Sequence, residues 1–106
     1  MQTILGATGQ IGQELAKELH DNFTQDIRLV SRNPKKINTT DTLMSANLLD
    51  ATETLNAVRG SDIVYLTAGL PMDTERWIRE WPVIMSNVIK ACEAEKVKLV
   101  YFDNTY

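Results

Sequence analysis

The segment Ile4-Leu5-Gly6-Ala7-Thr8-Gly9-Gln10-Ile11-Gly12 carries three of the chain's five glycines, at positions 6, 9 and 12. Before it, Met1 to Leu5 reads as a short apolar strand. After it, Ile11, Leu15, Ala16 and Leu19 recur at helical spacing between Gln, Glu and Lys. Strand, glycine turn and amphipathic helix in that order form a site where an anion can approach backbone N–H groups at the positive end of a helix. A side chain in the turn would hold a pyrophosphate away. Gly6 would therefore make the tight turn, Gly9 would admit the phosphates, and Gly12 would let the helix lie close on the strand. The plain alternative is a glycine-rich turn that binds nothing. Two other phosphate sites are excluded: Gly12 is followed by Gln13-Glu14, without the Lys-Ser/Thr pair of a P-loop, and residues 6–12 hold no Asp or Glu for a receiver-type cation site.

Outward from this turn, Asp26 to Arg32 reads as a second strand closed by Asn33-Pro34, with its following helix missing or stunted. Thr42 to Ala46 is a third strand. Asp50-Ala51-Thr52-Glu53 predicts a helix N-cap with the Glu53 carboxylate reaching back three residues, and Gly60 suits the left-handed position after that helix. The apolar run Ile63 to Ala68 is a fourth strand of the kind buried on both faces, broken by Gly69-Leu70-Pro71. A helix predicted to start at Pro82 has its stripe on Ile84, Met85, Val88, Ile89 and Cys92, and Lys98 to Phe102 is a fifth strand. The fold class expected is therefore α/β, a Rossmann-type doubly wound parallel sheet of five strands in the order 3-2-1-4-5, truncated before any later strands.

The spacing Gly-x-x-Gly-x-x-Gly resembles the extended and atypical short-chain dehydrogenase/reductases, the NAD-dependent epimerase/dehydratase family, and the resemblance covers nearly the whole chain. It implies a nicotinamide cofactor on Gly6, Thr8, Gly9, Gln10, Ile11 and Gly12. Ala46-Asn47-Leu48-Leu49-Asp50 is similar to the family's adenine-contacting Gly-Asp-Leu segment, with Asn47 in place of Asp and able to accept from or donate to the base. Tyr65-Leu66-Thr67-Ala68-Gly69 resembles the fourth-strand ending beside the cofactor, which implies Thr67, Ala68 and Gly69 as contacts. Asn87, followed by Ala91-Cys92, matches a helix asparagine of the family. Arg32, twenty residues after Gly12, stands where an acidic residue would bind the ribose of NAD. With Ser31 and Asn33 it suits a 2′-phosphate, so NADP is expected over NAD, the alternative being a solvated arginine.

The family continues into Tyr-x-x-x-Lys and a substrate-binding half, whereas here Asp103-Asn104-Thr105-Tyr106 follow the fifth strand. Thr105 could stand for the family's catalytic hydroxyl. Residues 1–106 are thus expected to be one NAD(P)-binding domain, an N-terminal fragment lacking the substrate half. The parent would be an oxidoreductase, epimerase or dehydratase for a sugar nucleotide or other small carbonyl or hydroxyl compound. The rival is a non-catalytic NAD(P)-binding sensor. Arg76 to Trp81 could line a substrate pocket or simply pack the helix start.

Composition narrows the remainder. The chain has 106 residues, 43% hydrophobic and 24% charged, with a net charge of −3, enough for one core and without the basic footprint of a nucleic-acid or anionic-membrane binder. One cysteine, Cys92, and one histidine, His20, give no internal disulfide and no zinc site of usual spacing. With no membrane-span run and no export signal, a cytoplasmic location is expected. Self-association is expected through the edge left by the fifth strand or through the neighbouring sheet face.

Overall fold

A computed structural model describes residues 1–6, 10–31, 38, 40–67 and 74–101. The elements run β1 (Gln2–Leu5), α1 (Gln10–Asn22), β2 (Ile27–Ser31), β3 (Thr42–Ser45), α2 (Ala51–Val58), β4 (Ile63–Leu66), α3 (Thr74–Glu95) and β5 (Lys98–Tyr101). They form one parallel sheet in the order β3-β2-β1-β4-β5, as the sequence predicts. Because every strand runs the same way, Leu5, Ser31, Ser45, Leu66 and Tyr101 end along one edge, and the chain reverses its winding on either side of β1 there.

Alternation along the strands feeds two cores. Leu5, Val30, Val64 and Leu66 point to one face, where they meet Ala57 and Val58 of α2 and Ile84, Val88, Ala91 and Cys92 of α3. Ile4, Ile27 and Leu29 point to the other, where Ala16 and Leu19 of α1 cover them. Burying each such aliphatic side chain contributes about 1.5–3 kcal/mol, so the two-helix face carries most of the stabilisation. Cys92 is part of that core, and its burial pushes the thiol pKa up. Arg28 fastens α2 to β2 by donating from Nη1 to the carbonyls of Ala57 and Arg59, each at 2.9 Å, a cation at a helix C-terminus.

Two local expectations change. Asp50 does cap α2, its Oδ1 accepting from the Glu53 N–H at 3.0 Å. The Glu53 carboxylate, however, accepts from the Asn47 N–H at 3.4 Å, because the Asp50 N–H is already given to the Asn47 carbonyl at 3.0 Å. The helix expected to start at Pro82 starts at Thr74, with Pro82 inside it; the proline removes one backbone donor, and the helix passes through it. Its far end closes with Lys96 at φ 55°, Lys96 N–H donating to Glu93 O at 3.3 Å and Val97 N–H to Cys92 O at 2.9 Å. These two bonds are a Schellman motif with lysine in the place glycine usually takes. Gly60 occupies the left-handed position after α2, at φ 81°. The missing or stunted helix after β2 falls on residues outside the described ones.

Candidate functional site

The carboxyl edge of β1 is built around Gly6. Its φ of 81° lies where a side chain is strained, and its N–H donates to Val30 O at 2.8 Å, so the chain leaves β1 in a fixed direction toward the start of α1. Thr67, only 4% exposed, holds this turn from the β4 side. Its N–H donates to Leu5 O at 3.0 Å, and its hydroxyl donates to Leu5 O at 2.9 Å with Gly6 O at 3.3 Å. Thr67, expected as a cofactor contact, thus spends its proton on the glycine turn. Gly12 is buried in the first turns of α1. Gln10 and Ile11 open that helix, while Thr8 and Gly9 lie outside the described residues.

At the end of β2 the Ser31 hydroxyl is buried without a hydrogen-bond partner. A buried polar group left unsatisfied costs about 1–3 kcal/mol, and this one stands at the sheet edge where ligands of open α/β folds bind. Arg32, its expected companion, lies outside the described residues. The described positions fit a dinucleotide: a positive-φ glycine leading to a helix N-terminus, and an orphaned hydroxyl one strand away.

The loop after β3 is tied on all sides. Asn47 Oδ1 accepts from Leu49 N–H at 3.0 Å, which leaves the Asn47 amide nitrogen as the group able to donate to a base. Leu48 is half-buried against the larger core. Its carbonyl accepts from Asn87 Nδ2 at 2.9 Å and Thr54 Oγ1 at 3.3 Å. The sequence did not announce this link from α3, nor the turn in which buried Asp41 accepts from the Asn38 N–H at 2.6 Å while Asn38 Nδ2 donates to Ala16 O at 3.2 Å. The Asn87–Leu48 and Asn38–Ala16 bonds join residues that no short motif relates.

Trp81 packs against the larger core and meets Tyr101, with ring centroids 5.8 Å apart at 44°, so it takes the packing role. Ala68, Gly69 and Thr105 lie outside the described residues. At the opposite end of the strands the Met1 amine is 2.7 Å from the Asp62 carboxylate and 3.4 Å from Asp26. The Asp62 hydrogen bond is the main cause that holds its pKa above the usual value. Tyr65 donates to Gln2 Oε1 at 2.8 Å, and burial raises its phenol pKa. Among the described residues no three His, Cys, Asp or Glu side chains converge on a metal position, and no helix is long and apolar enough to cross a membrane.

No curated protein matches the chain. Among solved structures it is similar to uronate dehydrogenase from Agrobacterium tumefaciens, solved as a variant with NAD, at 20% identity and a TM-score of 0.81, covering 94% of this chain and 39% of that one. It is also similar to a Rossmann-fold NAD(P)-binding family protein from Shigella flexneri, at 29% identity and a TM-score of 0.73, over 92% of this chain and 48% of that one. An Escherichia coli quinone oxidoreductase described as NADPH-dependent follows at 26% identity and a TM-score of 0.68, over 95% and 34%. The chain spans less than half the length of each. The family profile described as NAD(P)H-binding matches residues 6–102, the stretch that runs from the positive-φ glycine of the first turn to the last strand of the sheet, and the chain belongs to that family.

Proposed function

We propose that this chain is the dinucleotide-binding part of an NAD(P)-dependent oxidoreductase, epimerase or dehydratase acting on a sugar nucleotide or other small carbonyl or hydroxyl compound. The observation that carries the reading is the Gly6 turn, locked by Thr67 and Val30 and opening onto α1 where the winding of the sheet reverses. The pyrophosphate would lie on the backbone of residues 6–12, and the adenosine half against Ser31, Asn47 and Leu48. The other half would point toward Thr67, Ala68 and Gly69. When bound, the nicotinamide supplies hydride exchange. Thr105 is the candidate hydroxyl on this chain, and the tyrosine and lysine of the resembled family would come from beyond these 106 residues. Two neighbours are described as a uronate dehydrogenase and a quinone oxidoreductase, which supports redox chemistry in the parent. Cys92, buried and unpaired, suits a reducing cytoplasm.

NADP is preferred over NAD in this reading, because the orphaned Ser31 hydroxyl and the adjacent Arg32 suit a 2′-phosphate. Hydrogen bonds to charged groups contribute about 1.5–3 kcal/mol, roughly ten- to a hundredfold in affinity. Calorimetric titration of both cofactors should show that margin in the wild type and its loss in Arg32→Ala; equal affinities in the wild type remove the preference. Gly9→Val should abolish binding of both, and retained binding would overturn the glycine-turn assignment.

A further inference from the structure

We propose that Asn87 of α3 is a positioning residue for the adenine loop, setting the Leu48–Leu49 peptide so that Asn47 and Leu48 face the base. This rests on the dinucleotide reading of the site. Leu48 O has two donors within reach, but Thr54 has one hydroxyl proton and sits closer to Asp50 O, at 2.8 Å against 3.3 Å. Asn87 Nδ2, at 2.9 Å, is therefore the donor on which the carbonyl depends. The other bonds of the loop join it to itself or to α2: Leu49 N–H to Asn47 Oδ1, Asp50 N–H to Asn47 O, and Asn47 N–H to Glu53 Oε1. Asn87 supplies the tie to α3, the helix packed beneath the sheet. Without it the peptide can turn, and because Leu49 N–H belongs to the same peptide, the bond that orients the Asn47 side chain goes with it. Asn87 also lines a groove between α2 and α3 with Ala51, Leu55, Lys90, Ala91 and Ala94. Water can enter there to satisfy Leu48 O in a variant, so the effect is a moderate loss of affinity rather than unfolding.

Amide-shift NMR titrations of the 106-residue chain with 2′,5′-ADP, the adenosine half, and with nicotinamide mononucleotide, the other half, separate the outcomes. Asn87→Leu should weaken 2′,5′-ADP by about three- to tenfold, the fold-change expected of one net hydrogen bond, and leave the mononucleotide unchanged. An unchanged 2′,5′-ADP affinity, or equal losses for both halves, overturns the proposal. A wild type that binds neither half overturns the dinucleotide reading itself. Should Asn87→Leu not fold, Asn87→Asp keeps the shape: ionised, it cannot donate to Leu48 O, and it should regain affinity relative to the wild type as the pH falls through the carboxylate range near 4. Absence of that recovery overturns the proposal as well.

Discussion

Thr67 shows how one hydroxyl can fix the direction of a glycine turn. It bridges from the end of β4 to the last carbonyl of β1 and the first of the turn, so the direction in which Gly6 releases the chain depends on it. Thr67→Val keeps the volume and removes the proton. That exchange should cost about 1–2 kcal/mol of stability and about three- to tenfold in dinucleotide affinity, measured by urea unfolding and by titration. A stability loss with full affinity would mean that the turn is held by its other bonds. Thr67 could be singled out from the sequence as a site residue, but its role could not: a strand end beside a cofactor and a strand end clamping a glycine turn present the same letters. Ser31 is similar, since its position was legible and its lack of a partner was not.

At the level of elements, the Schellman closure of α3 is the place where the local sequence and the local backbone disagree. Lys96 adopts φ 55°, a conformation that costs a side-chain-bearing residue about 1–2 kcal/mol, part of which is returned because glycine loosens the unfolded chain. Lys96→Gly should therefore stabilise the domain by about 0.5–1 kcal/mol, read from the midpoint of urea unfolding at an unchanged slope. Gly60, in the same role after α2, was legible because glycine itself signals it. The start of α3 was not. Pro82 satisfies the rules for a helix's first turn, and only packing, with Trp81 just before it seated on the core, shows that the helix is already under way. The sheet order, by contrast, follows from one glycine turn, alternating strands and helices, and the handedness of parallel crossovers. Asn87 reaching Leu48 crosses from one helix to the loop before another, and hydrophobic periodicity carries no trace of such a bond.

At the scale of the molecule, the described residues cover the two faces of the sheet unequally. α2 and α3 lie over one; on the other, α1 serves β1 and β2, while Ile63, Tyr65 and Val100 of β4 and β5 are only half-buried. β5 is also an edge strand, with Tyr101 39% exposed at its end. A second copy pairing along that edge, or packing on the neighbouring sheet face, would bury this surface. Size exclusion with light scattering at about tens of micromolar, where weak edge pairing becomes visible, should show a species heavier than the 12.0 kDa monomer. A clean monomer would mean that the edge is protected. The central place of β1 has a further consequence, for the order in which the chain is made. Its neighbours are Ile27–Val30 on one side and Ile63–Leu66 on the other, so the ribosome delivers the middle of the sheet first and its second flank last. At about 5–20 residues per second, the nascent strand carrying Ile4 and Leu5 waits about 3–12 s for β4. The second flank of β1 therefore stays unpaired while β2, β3 and α2 are made, and a translational pause before residue 66 would lengthen the time in which that flank stands open to chaperones or to other chains.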